Sequence, residues 1–237
     1  MPASPSQEAP SVKAENRRDQ PPKKVKDRLD ELLTKASPLV KINFSWFLLS
    51  LPVVTIFPAL GGLYHAILSF NQQETPGSDS AWDGFKNFWW LSLQWGLTVL
   101  LVIAALGSAL WFFNTLNQSW ATYASATAGA LLFLWTAINQ FSLPLLFMQE
   151  EKRVGVAIRN GYVVAVRRPL IALKTLLLTI IIAALGTLLA PSWVLITMAL
   201  IAHIQTRTAL KAVATIRSQD ADSDAADAHR ERFKEVD

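Results

Sequence analysis

The chain contains no cysteine, which excludes a disulfide, a thiolate zinc site, an iron–sulfur cluster and a thiol nucleophile. Its four longest apolar runs contain no acidic residue, so a carboxylate proton relay or an intramembrane aspartyl dyad is not available to them. H-E-x-x-H, the P-loop, G-x-S-x-G and the dinucleotide glycine fingerprint are all missing. These absences remove the recognisable nucleophile, base and metal sets. The expectation is a protein that is not an enzyme, with no cofactor and no catalytic, cofactor-binding or metal residue to assign. Two short segments, 114–122 and 191–192, carry no charge of either sign.

What is present is apolar sequence in blocks. Leu91–Phe113, Tyr123–Met148, Leu170–Ala190 and Trp193–Leu210 are each nearly free of charge over 18 to 26 residues. A helix needs about 20 such residues to cross a hydrocarbon core of about 30 Å, and helices of soluble domains keep a polar face. The fold class is therefore an all-α polytopic membrane protein with the lipid bilayer as its first partner. Four full transmembrane helices are expected, with a further proline-broken element before them. The net charge of +4 and a pI near 9.4 fit basic flanks of a membrane protein. Nucleic acid is not expected as a partner, because the basic residues are not interleaved with a stacking platform. The apolar sequence begins near Leu39, too late for a secretory signal, and no small-residue cleavage site follows a short apolar core.

The polar ends read differently. Residues 1–22 are rich in proline and polar side chains and are expected to be a disordered cytoplasmic tail. Over 23–38, Val25, Leu29, Leu32 and Leu33 share one helical face, with Lys26 and Asp30 paired at i,i+4, which predicts an amphipathic interfacial helix. The membrane domain is expected over 39–211 and a polar cytoplasmic tail over 212–237. Two mixed segments, "SAWDGFKNFWWLSL" and "EEKRVGVAIRNGYVVAVRRP", each lead into an apolar span and read as interfacial elbow helices. Pro169 suits the first position of the helix that follows, where its missing N–H is not needed.

The stretch "SLPVVTIFPALGG", residues 50–62, decides the orientation of the loops. If Leu39–Phe70 crosses once, the five basic residues Lys152, Arg153, Arg159, Arg167 and Arg168 face outward, against the positive-inside rule. If both of its ends lie on the cytoplasmic side, all 22 Lys and Arg fall on or near that side. Trp111, Trp120 and Trp193 then cluster at the outer interface, where an aromatic belt belongs. The second arrangement predicts a re-entrant hairpin or a pair of short spans, with both termini cytoplasmic. Pro52 and Pro58 each remove a backbone donor, and Gly61 and Gly62 lower helix propensity. The expected arms of about 13 residues would rise only about 20 Å each.

"INFSWFLLSLPVVTIFPALGGLY" (42–64) resembles the opening signature of the YesL-like family of bacterial membrane proteins. The resemblance continues through "FKNF" (85–88), "LPLLFMQE" (143–150) and "AIRNGYVVAVRRPLIALKTLLL" (157–178), and covers roughly residues 40 to 210. "YHAILSFNQQE" departs from the pattern, having no basic residue soon after the tyrosine. The resemblance implies a cell-membrane protein of unestablished activity, often encoded beside carbohydrate ABC-transporter genes. It names ABC-transporter permease subunits as candidate partners and brings no catalytic residues.

The polar residues at or within predicted spans are Asn43, Thr55, His65, Gln94, Asn139, Gln140, Lys174 and His203. Joining helices is the default role for each. A broken helix can also aim its positive end at a substrate, as transporter sites do, so the candidate functional turn comprises Pro52, Thr55, Pro58, Gly61, Gly62, Tyr64 and His65. Two functions follow from this reading. The first is an accessory or regulatory partner of a membrane transporter. The alternative is a small transporter or channel with its site near the Pro52–Pro58 turn.

Overall fold

The computed structural model describes residues 25–72, 78–116 and 118–234, with side chains described from Ala36 to Ala226 apart from those of 73–78 and 117. The expected disordered segment 1–22 lies outside the described residues. The chain divides into two compact units at Ser37–Pro38, inside the first helix. In order, the elements are α1 (Val25–Ser50), a 3-10 turn (Val53–Thr55), α2 (Ile56–Asn71), α3 (Ser78–Asn87), α4 (Trp89–Thr115), α5 (Ser119–Met148), α6 (Val154–Arg167), α7 (Pro169–Leu188), a π turn (Trp193–Thr197) and α8 (Met198–Lys234).

The protein is all-α. Among the described residues, five helical stretches are long and apolar enough to cross a membrane: Val53–Asn71, Trp89–Thr115, Ser119–Met148, Pro169–Leu188 and Trp193–Ala226. Four correspond to the apolar runs. The fifth is the second arm of the proline-broken stretch, which at 19 residues is longer than the arms of about 13 read from the sequence. Both elbow segments are separate helices, α3 and α6, and Pro169 opens α7 at its first turn. α8 runs unbroken from Met198 to Lys234, so the expected boundary between membrane domain and polar tail at residue 211 falls inside one helix.

The second half of α5 is the hub. Ala137 to Phe147 are all buried, polar and apolar positions alike. A helix buried on every side needs its polar groups paired within the protein. On one side, Leu143, Leu146 and Phe147 join a cluster with Ile42, Leu63 and Ala199. On the other, Ile138, Phe141 and Leu145 pack with Val164, Ala172 and Ala209. The first half of α5 pairs with α4 through small residues. Ala121, Ser125 and Ala128 are buried on α5, and Leu110 of α4 approaches Gly129 closely enough that a Cβ there would lie 3.7 Å away. Small side chains let two backbones approach where apolar burial gives no net drive between helices. Among the described residues of α4 itself, only Ser92, Trp95 and Gly96 are buried.

Candidate functional site

The expected proline break is present, and it lies at Leu51–Pro52. α1 ends at Ser50, Pro52 is extended (φ −74°, ψ 125°), and helical backbone resumes at Val53. A helix end leaves its last carbonyls without intrahelical partners, which is costly away from water. Here those of Phe47, Leu48 and Leu49 are provided for locally. Phe47 O accepts from the Ser50 hydroxyl at 2.9 Å, Leu48 O from Leu51 N–H at 3.4 Å, and Leu49 O from the Thr55 hydroxyl at 2.5 Å. Thr55 N–H also bonds Pro52 O at 2.9 Å. Thr55 therefore closes the turn on itself, while Leu51, Val53 and Val54 stand exposed as an apolar tip.

Pro58, Gly61 and Gly62 do not belong to the break, although the sequence placed them there. They lie inside α2. Pro58 occupies its first turn, where the missing N–H costs nothing. The glycines are sites of close approach. A Cβ on Gly61 would overlap the Ser92 side chain, and one on Gly62 would overlap the carbonyl oxygen of Ala81. Across α4 the pattern continues, with Phe57 seated on Gly96 and His65 against Phe88, ring centroids 5.4 Å apart. α2 thus runs antiparallel to the first turns of α4, through complementary small and large side chains.

Tyr64 and His65 end this face. The buried Tyr64 hydroxyl donates to Gln205 Oε1, and Gln205 Nε2 donates to Thr179 Oγ1 at 3.4 Å, joining α2, α8 and α7. His65 Nδ1 lies 3.1 Å from Ser80 O. A carbonyl can only accept, so this contact sets Nδ1 as the protonated nitrogen. His65 also lines a cleft of about 380 Å³ at the end of the bundle, with Ser69, Gln72, Phe147 and Lys152. The candidate residues are therefore divided by the fold into a turn (Pro52, Thr55), a packing face (Pro58, Gly61, Gly62, Tyr64) and one cleft residue (His65).

The other polar residues of the spans do not converge on the turn. Trp95 Nε1 donates to the Ser142 hydroxyl at 2.8 Å, and that hydroxyl lies 3.0 Å from Asn139 Oδ1. Gln140 donates to Ala172 O at 2.9 Å, tying α5 to α7. Gln94 and Lys174 are exposed, and the His203 ring lies tilted against Phe70, centroids 5.6 Å apart.

Asn43 is fully buried and does more than join two helices. Its amide donates to Trp193 O at 2.7 Å and Val194 O at 2.8 Å, and its oxygen accepts from Ala199 N–H at 2.8 Å. The backbone it meets is the π turn and the start of α8. A widened turn leaves ladder groups misaligned, and the Asn43 amide takes their place. The sequence offered only the residue type; its partners lie 150 to 156 positions away.

Residues 39–110 match the model of a family described as "Protein of unknown function, DUF624". The matched segment contains Asn43, the turn, α2, α3 and most of α4. It is shorter than the stretch of resemblance read from the sequence, which extends to residue 210. No curated protein and no solved structure matches the chain.

Proposed function

We propose that the protein is a non-enzymatic, multi-pass protein of the cell membrane, with both termini cytoplasmic, that serves as an accessory or regulatory partner of a membrane transporter. ABC-transporter permease subunits are the proposed partners, and carbohydrate uptake is the process to which the YesL-like resemblance points.

The observation that carries this reading is α4. Beyond Gly96 no residue of this helix is fully buried, and Leu97, Leu100, Leu101, Ile103, Trp111 and Phe112 are exposed. Gln94, a polar residue one turn into the helix, is exposed on it as well. A long apolar helix joined to the bundle by one end and by a single neighbour offers a wall for a second membrane protein. The charge distribution supports the orientation, since Lys86, Lys152, Arg153, Arg159, Arg167 and Arg168 all lie in or directly beside the elbow helices α3 and α6.

The test is purification of the tagged full chain from its native membrane in a mild detergent, with co-purifying proteins identified. Stoichiometric permease subunits are the expected result. Recovery of a stable, monodisperse protein alone would overturn the accessory reading. It would favour the small transporter or channel, to be tested by solute flux in liposomes and by substitutions in the Pro52–Pro58 turn.

A further inference from the structure

Three rings form the floor beside the cleft at the end of α2. His65, Phe88 and Phe147 pack on one another, with centroid separations of 5.4, 6.4 and 5.1 Å. Lys152 places its ammonium 4.7 Å from the centroid of Phe88, a cation–π contact that holds a flexible side chain at the rim. Ser69 and Gln72 supply a hydroxyl and an amide to the same space of about 380 Å³. Among the described residues that line it, none is a carboxylate. The carbonyl ends of α2 would oppose a negative charge, but those of Leu68 and Ser69 share the backbone N–H of Gln72 at 3.1 Å.

We propose that this cleft binds a phosphate group that carries a hydroxyl close by. Lysine is a point-charge ligand for phosphate, and Ser69 and Gln72 can donate to the remaining oxygens. His65 adds the requirement for a hydroxyl. The tautomer with Nδ1–H on Ser80 O carries its acceptor lone pair at Nε2. That nitrogen takes a hydrogen from a glycerol headgroup or from a monoprotonated phosphate, which a choline headgroup cannot supply. The chemistry is shared by phosphatidylglycerol and by small soluble phosphate esters. The setting also accommodates an amphiphile. Met148 and Leu210 line both this cleft and a neighbouring groove of about 490 Å³, whose other walls include Leu145, Val164, Val213 and Ile216. A headgroup in the first would place an acyl chain within reach of the second.

The experiment uses the full chain in maltoside micelles, titrated separately with dioctanoyl phosphatidylglycerol, dioctanoyl phosphatidylcholine and glycerol phosphate, and read by native mass spectrometry. Phosphatidylglycerol, glycerol phosphate or both should bind, and phosphatidylcholine should not compete. Lys152→Ala should weaken binding about tenfold or more, as expected for loss of one charged hydrogen bond, and Lys152→Arg should retain it. Lys152 is exposed, so the variant should keep the wild-type melting temperature without ligand. Ser69→Leu, which adds bulk to the cleft from α2, should also weaken binding and gives a second reading. Binding of the lipid alone identifies the membrane as the source; binding of glycerol phosphate as well shows that a soluble ester suffices. If neither phosphate probe binds, if phosphatidylcholine competes, or if Lys152→Ala or Ser69→Leu binds as tightly as the wild type, the site is refuted.

Discussion

The side-chain oxygen of Asn43 accepts a hydrogen bond from the backbone N–H of Ala199 at 2.8 Å, while its amide donates to the carbonyls of Trp193 and Val194. One side chain thus completes the hydrogen bonding of a π turn that belongs to another helix. Asn43→Leu would remove three hydrogen bonds, one from the buried Ala199 N–H and two to the part-buried carbonyls of Trp193 and Val194. A buried group left unpaired costs about 1–3 kcal/mol, so the variant should melt well below the wild type in detergent. A melting temperature equal to the wild type's would show that the π turn relaxes to ordinary helix without Asn43.

Gly62 and Gly107 make a controlled pair. A Cβ on Gly62 meets the backbone oxygen of Ala81, which cannot swing aside, whereas one on Gly107 meets nothing within 4 Å. Gly62→Ala should destabilise by about 1–3 kcal/mol through overpacking. Gly107→Ala should be neutral or stabilising by up to about 1 kcal/mol through helix propensity. Chemical denaturation of both variants in the same detergent decides it, and equal effects would contradict the packing described.

Thr55→Val keeps the shape of the side chain and removes the hydroxyl that meets Leu49 O and Pro52 O. Loss of one hydrogen bond of this kind costs about 0.5–1.5 kcal/mol, and more when the abandoned carbonyl is out of water. Thr55→Ser should restore most of it. Protease sensitivity at the turn is the readout. A turn that stays equally resistant in Thr55→Val would mean that the hydroxyl does not hold it.

The absence of cysteine makes the membrane disposition directly measurable, since single cysteines report without background. In intact cells an impermeant maleimide should label Gln118→Cys and spare Lys152→Cys. Val54→Cys at the apolar tip should resist the reagent from either side if the tip lies in lipid. Labelling of Lys152→Cys in intact cells would invert the proposed orientation, and labelling of Val54→Cys would place the tip in water.

Arg167 and Asp220 form an exposed pair at 2.7 Å between α6 and the extension of α8. Both side chains are more than half exposed, at 51% and 57%, so Asp220→Asn should change stability by no more than about 1 kcal/mol. A larger loss, measured in low and then high salt, would show that the α8 extension is anchored through this contact.

The sequence by itself determined the all-α class, the four long apolar helices, the elbow helices ahead of α4 and α7, and the proline break. The physical reason is local. Length and apolarity fix what can satisfy its own backbone in lipid, and Pro52 and Pro169 act on their own hydrogen bonds. Only the tertiary structure decided where the remaining residues belong. Gly61 and Gly62 read as helix breakers, because their cost in an isolated helix is visible in the sequence and the Ser92 side chain and Ala81 carbonyl that require them are not. Tyr64, His65 and Asn43 were legible as polar residues in or near spans. Their roles were not, because Gln205, Ser80 and the π turn reach them through chain folding over separations of 15 to 156 residues. Local pattern sets which helices form; which polar group meets which is a property of their packing.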